Sequence, residues 1–248
     1  MRFIVRLKSD KPSDISIDYR RRFISFLKNV FEDSFNSFNG TKPYVFSVFF
    51  GKNTRIEKDK VKNVETINFR FSTGDFIVAV KFYNGALRLK KENYLHKIGS
   101  ENFKIEWIKK EDEKEITGIF KTLSPVIVER IGYKNGKDME ERYVVPNEDD
   151  FEISLLENIL RRHRSIYGKD LSVTTFKFKE IKVKKTYVKH YGGYLKCFLG
   201  KFKIETDSEE LLKFIYDFGL GLRTGQGFGY LDTLRGWSND NKCLQAEF

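Results

Sequence analysis

Five glycines fall within eleven residues in Gly219-Leu220-Gly221-Leu222-Arg223-Thr224-Gly225-Gln226-Gly227-Phe228-Gly229. Glycine tolerates positive φ and lets other groups approach the backbone closely, so such a loop can turn N–H groups toward a phosphate. Arg223 adds a fixed positive charge. A dinucleotide-binding fingerprint follows a strand and opens a helix; here an amphipathic helix precedes the loop and a strand follows. A Walker A loop needs Gly-Lys-Ser or Gly-Lys-Thr, which this chain lacks. The plainer use of the same glycines is a tight helix-to-strand turn.

Residues 177–191 carry a second pattern, in which Lys182, Lys184, Lys185, Lys189 and His190 interleave with Phe176, Phe178, Tyr187 and Tyr191. Strand alternation puts the aromatics inward and the lysines outward, as a strand tracking phosphates or as an ordinary basic solvent face. Of the other histidines, His163 falls on the apolar side of a helix and suits packing, whereas His96 lies between elements without an evident partner. The three histidines and two cysteines, Cys197 and Cys243, have no metal-ligand or CxxC spacing, so neither a metal nor a cofactor is expected. Lys and Arg total 46 against 35 Asp and Glu, a net charge of +11 that favours a polyanionic partner. A charge-rich thermophile surface is the alternative source of that excess. The N-terminal apolar run is too short for a signal peptide and no 18-residue apolar stretch occurs, so a cytoplasmic protein without a membrane partner is expected.

The positioning elements follow from periodicity. Phe3, Val5 and Leu7 alternate and predict a first strand, broken at Lys11, Pro12 and Ser13. Tyr19, Phe23, Phe26, Leu27, Val30 and Phe31 recur at helical spacing behind Asp18 as N-cap. A turn at Asn39-Gly40 precedes strands at 44–50 and 66–72. Residues 74–90 fit either a strand pair or a short helix, with a turn signal at Asn84-Gly85, and a strand follows at 103–108. In the second half, strands at 116–120 and 126–130 flank Thr122-Leu123-Ser124-Pro125, and Asn135-Gly136 signals a hairpin turn. A helix spans 151–167, its apolar side including Leu155, Ile159 and His163, with Arg161, Arg162 and Arg164 suited to its negative end. Strands at 174–185 and 194–204 come next. A helix capped by Ser208 runs to Phe218, and a strand covers 230–232. Both halves read in the ferredoxin-like order. The expectation is an α+β chain of two tandem ferredoxin-like domains, 1–112 and 113–236, with a tail over 237–248.

The helix, the glycine run ending Gly-Phe-Gly and the following strand resemble the C-terminal signature of the CRISPR-associated RAMP superfamily, above all its repeat-cleaving endoribonucleases. Three further segments resemble that family in order: the opening MRFIVRLK with its helix, Lys42-Pro43-Tyr44-Val45-Phe46-Ser47, and Thr122-Leu123-Ser124-Pro125-Val126. The resemblance implies RRM-like domains with CRISPR repeat RNA as partner. It implies metal-independent cleavage, in which the ribose 2′-OH attacks the adjacent phosphate and leaves a 2′,3′-cyclic phosphate. Lys42 matches a lysine that stabilises charge at the cut site. The family's catalytic histidine falls near Asn36, in a loop (31–41) that holds no histidine, and a helix tyrosine of some members falls at Lys28. Lys28, Asn36 and Lys42 are therefore the candidate catalytic positions. The five loop glycines with Arg223, and Lys182, Lys184, Lys185, Lys189 and His190, are the candidate RNA-binding ones. The family also suggests a homodimer and a place in a CRISPR effector complex. The missing histidine favours a rival reading, a non-cleaving RAMP subunit that binds guide RNA. A second rival, from another class, is a basic β-rich protein whose glycine loop binds a protein partner or a nucleotide.

Overall fold

Alternating apolar residues build the first sheet. The computed structural model describes residues 1–38, 40–133 and 139–234. It opens with β1 (Arg2–Ser16), whose Phe3, Val5 and Leu7 point into the core. Then come α1 (Arg20–Phe31), α2 (Ser34–Ser37), β2 (Val45–Phe50), β3 (Arg55–Glu57), β4 (Lys60–Ser72), α3 (Phe76–Lys91), β5 (His96–Ile98) and β6 (Glu101–Lys110). The strand order is β2-β4-β1-β6-β5, with β3 folded onto β4. Taking β1, β2, β4 and β6 as the four main strands, this is the ferredoxin-like arrangement. Aromatic rings fill the space beneath α1 and α3: Phe71 and Phe82 stack with ring centroids 3.8 Å apart, and Phe23 stacks on Phe69 at 5.6 Å.

The second half repeats the plan. Its elements are β7 (Ile119–Thr122), β8 (Val128–Glu129), α4 (Met139–Arg142), β9 (Tyr143–Val144), α5 (Phe151–Tyr167), β10 (Phe176–His190), β11 (Gly193–Thr206), α6 (Glu209–Phe218), a 3-10 turn (Thr224–Gln226) and β12 (Leu231–Thr233). The sheet order β10-β11-β7-β12 is again ferredoxin-like, while β8 and β9 form a separate ribbon. Leu155 and Ile159 of α5 and Leu211, Phe214 and Ile215 of α6 pack with Phe198 and Phe202 of β11 in a second core. The expected α+β pair of ferredoxin-like folds is thus the observed architecture.

Hydrogen bonds across the seam fix the two halves together. The buried Arg2 guanidinium donates to the carbonyls of Leu231 and Tyr216 and lies 3.4 Å from the Tyr216 ring centroid. Ser72 donates to the Asp217 carbonyl at 2.8 Å, and Thr224 to the Tyr44 carbonyl at 3.1 Å. Bonds of this kind, sealed from water, leave costly orphan groups if the halves part.

Four local expectations are corrected. β1 does not stop at Lys11–Ser13: a register shift between Lys8 and Ser13 absorbs Pro12, and pairing with β4 resumes to Ser16. Asp18 does not cap α1; Tyr19 holds the N-cap position without a side-chain bond. Asn84-Gly85 is no turn but lies inside α3, where a Cβ on Gly85 would meet the Val30 carbonyl oxygen at 2.0 Å. Gly85 is where α1 and α3 touch. His96 is not partnerless: it sits in β5, buried under Phe26, with Nε2 2.9 Å from the Arg22 carbonyl oxygen. Other expectations hold, namely α5 over 151–167, Ser208 as N-cap of α6, and His163 as a packed residue. Asn39, the Asn135-Gly136 turn, Cys243 and the tail over 237–248 lie outside the described residues.

Candidate nucleic-acid interface

The glycine loop is held from behind. Arg162, on the buried side of α5, donates to the carbonyls of Phe218, Gly219 and Gly221 at 2.7–3.0 Å and to Thr224 Oγ1 at 3.1 Å. Burial pushes its guanidinium pKa below the usual range, and the four acceptors keep the cation satisfied. Gly219, Gly221, Gly227 and Gly229 are buried with φ between 72° and 88°. A Cβ on Gly221 would lie 2.2 Å from the Ile127 carbonyl oxygen, and one on Gly229 2.0 Å from that of Leu220. The N–H groups of Leu220, Leu222, Gln226, Gly227, Gly229 and Tyr230 all bond within the protein. The loop as a whole is therefore not an open cradle for phosphate. Of the five candidate glycines, the four buried ones shape the backbone, and half-exposed Gly225 stands at the tip with Arg223 and Gln226. The Thr122–Pro125 segment braces the loop's far end, since Gly229 N–H donates to Pro125 and Leu123 N–H to Tyr230.

The tip leans on the first half of the chain. On one side a Cβ at Gly225 would touch Lys42 Cβ at 2.7 Å. The Lys42 ammonium donates to the Phe38 carbonyl and lies 5.1 Å from the Phe35 ring centroid; that of exposed Lys28 lies 5.8 Å from the same ring. Asn36, exposed on α2, follows Phe35 directly. Desolvation lowers the Lys42 pKa from the ordinary lysine value. Thus Lys28 and Lys42, distant in sequence, converge on Phe35 beside the loop tip. On the other side Arg223 reaches Tyr143 Oη at 3.2 Å, and Gln226 Oε1 lies 3.0 Å from His190 Nε2. His190 Nδ1 in turn faces Asp18 Oδ1 at 3.6 Å, and Arg20 Nε donates to the Gly227 carbonyl at 3.2 Å. Burial, first among the causes, lowers the His190 pKa although Gln226 and Asp18 act to raise it. His190 is 3 % exposed, so as it stands it is a locking group of the seam rather than a surface ligand.

Along β10, Lys182, Lys184 and Lys185 are exposed and Lys189 is half-buried. Lys185 pairs with Glu140 at 3.4 Å and Lys189 with Asp59 at 3.4 Å. The expectation for the aromatics is only half met. Phe176 and Phe178 pack on the second core, but Tyr187 and Tyr191 are turned outward, 47 % and 56 % exposed. Among the described residues no group of three or more His, Cys, Asp or Glu is placed to hold a metal ion, and no helix is long and apolar enough to cross a membrane.

The family model described as CRISPR associated protein Cas6, C-terminal, matches residues 108–233, which span the second sheet and the whole glycine loop. The chain belongs to the Cas6 family. A putative CRISPR-associated endoribonuclease-like protein Cas6nc from Pyrococcus horikoshii is 29% identical over 135 residues, covering 54% of this chain and 56% of that one. A putative CRISPR-associated endoribonuclease-like protein Cas6 from Pyrococcus furiosus is 31% identical over 135 residues, 54% and 55% of the two chains. These matches span about half the length of either relative. A solved structure described as a RAMP protein binding different RNA substrates superposes with a TM-score of 0.78 at 23% identity, over 95% of this chain and 100% of that one. That likeness shows the shared fold.

Within this Cas6 fold, sequence reasoning missed Arg162, Gln226, Asp18 and Arg20 as parts of the site. Arg162 was assigned to the helix dipole, yet its phase carried the signal: it follows Leu155 and Ile159 on the buried stripe of α5. Asp18 and Arg20 carry no such mark, because their partners lie on the far side of the seam, and Gln226 carries none because its partner His190 lies far back in the chain at the end of β10.

Proposed function

We propose that this chain binds CRISPR repeat RNA across the seam at the glycine-loop tip and cleaves it there. The observation that carries the reading is the convergence of Lys28 and Lys42 on Phe35, with Lys42 against Gly225 and exposed Asn36 next to Phe35 in the chain, and with Arg223 and the lysines of β10 in the same half as the loop. The cleavage expected of such a site forms a bond from the ribose 2′-oxygen to phosphorus and breaks the bond to the 5′-oxygen. The 2′-proton leaves and the 5′-oxygen gains a proton. Lys42, with its lowered pKa, suits proton donation and stabilisation of the crowded phosphorane. Lys28 adds charge from the solvent side. The names of the Pyrococcus relatives, which speak of CRISPR-associated endoribonuclease-like proteins, support the same chemistry.

A second reading, an RNA-binding subunit that does not cleave, is favoured by one specific observation. His96, His163 and His190 are each 3 % exposed or less, so no imidazole is presented at the surface. The deciding experiment is incubation of the pure protein with repeat RNA in EDTA, with product ends mapped. One cut bearing a 2′,3′-cyclic phosphate that disappears in Lys42→Ala establishes cleavage at this site. Tight binding without a cut establishes the second reading, and the absence of both removes RNA as the substrate.

A further inference from the structure

The β10–β11 hairpin turns through Tyr191-Gly192, with His190 paired to Gly193. Both turn residues have positive φ, 52° and 80°, as in a two-residue type I′ hairpin, where Asn or Asp followed by Gly is the favoured pair. A bulky residue at positive φ is an outlier with an energetic cost, and such outliers cluster where function requires them. Tyr191 recovers nothing by burial, since it is 56 % exposed. Its ring is nevertheless fixed. The Arg21 guanidinium carbon lies 4.9 Å from its centroid, and the buried His190 ring meets it edge-on at 4.5 Å. His190 is in turn tied to Gln226 at the glycine-loop tip. Exposed Tyr194 follows two residues after the turn, opposite Lys189.

We infer that Tyr191, backed by Arg21, is a stacking platform for one unpaired base of the bound RNA. This rests on the RNA-binding reading and deepens it by naming the part of the RNA that meets this corner. An oriented aromatic face among cations suits a nucleobase because every base has a π-face, while Arg21 and Lys189 suit the flanking phosphates. A stack here is tolerant of sequence but requires a base out of the helix, so the platform selects unpaired RNA at this point rather than a particular letter.

The test uses the full chain and repeat RNA carrying 2-aminopurine at successive unpaired positions. In the wild type, one position should be strongly quenched on binding. Tyr191→Asn installs the residue the turn prefers, so its melting temperature should hold or rise while repeat affinity falls about tenfold and the quench vanishes. Tyr191→Trp should keep both affinity and quench. Wild-type affinity and quench in Tyr191→Asn would overturn the platform, and so would a fall in melting temperature, which would make Tyr191 a packing residue. Failure of the wild type itself to bind repeat RNA, or single-stranded RNA of any kind, would instead remove the RNA reading on which the platform rests.

Discussion

At the residue scale, two side chains carry most of what can be tested. Lys42 is half-buried between Phe35, the Phe38 carbonyl and the loop tip. If it donates a proton or stabilises charge at the cleaved phosphate, Lys42→Ala should lower single-turnover cleavage by about 10²-fold while repeat affinity changes only a few-fold. Desolvation lowers its pKa, so the protonated form needed for donation is lost at a lower pH than for a free lysine. The wild-type rate should accordingly decline on the alkaline side, and Lys42→Arg, charged throughout, should flatten that decline if charge is what matters. A pH–rate profile for the two proteins checks this. Arg162 acts on structure. Replacing it by Met strands the carbonyls of Phe218, Gly219 and Gly221 in a dry interior, and a loss of about 3 kcal/mol or more should appear in urea denaturation.

At the element scale, the glycines divide into those that shape the loop and those that let helices touch. Gly229→Ala must place its Cβ against the Leu220 carbonyl oxygen at positive φ, where neither backbone can yield cheaply. It should melt well below the wild type and lose RNA binding with it. Gly85→Ala forces α3 away from the Val30 carbonyl of α1. Because α1 carries Arg20, Arg21 and Lys28, the predicted outcome is weakened RNA binding beyond what the lost stability explains, measured by affinity at a temperature where both proteins are folded. The sequence makes both glycines visible but not their reasons: Gly85 sits beside Asn84 as in many turns, and the contact that rules a turn out lies 55 positions earlier at Val30.

At the scale of the whole molecule, charge and pH act on every element at once. RNA binding through lysines and arginines displaces counterions, so log affinity should fall linearly with log salt. Lys184→Ala should reduce that slope by about 0.7–1; an unchanged slope would remove β10 from the RNA path. Stability should also depend on pH through His96. Burial depresses its pKa to about 4 in the folded chain against 6.5 for the free side chain. The folded state therefore resists protonation. Stability is fully present above about pH 6.5 and falls as the pH drops toward 4, by about 3 kcal/mol. Urea midpoints from pH 7 to pH 4 check the sign, and His96→Gln should flatten that part of the curve.

The sequence by itself determined the fold class and the location of the loop, because both rest on local patterns: the periods of strand and helix, the Ser208 cap, and glycine spacing. The resemblance to repeat-cleaving endoribonucleases also made Lys28, Asn36 and Lys42 candidate catalytic positions, as expectations. What only the tertiary structure decided is how polar groups are shared between segments far apart in the chain. The loop N–H groups expected to face phosphate are bonded inward to carbonyls of the loop itself, to Ile127 and to Ser124 and Pro125, while Arg162 arrives from α5 to hold the loop's carbonyls. Asp18 leaves its helix end for His190 of the other domain, and β1 runs past Pro12 because β4 lies alongside to continue the pairing. Backbone and side-chain polar groups must find partners once water is excluded, and which partner is nearest is a property of the packed molecule rather than of any stretch of its sequence.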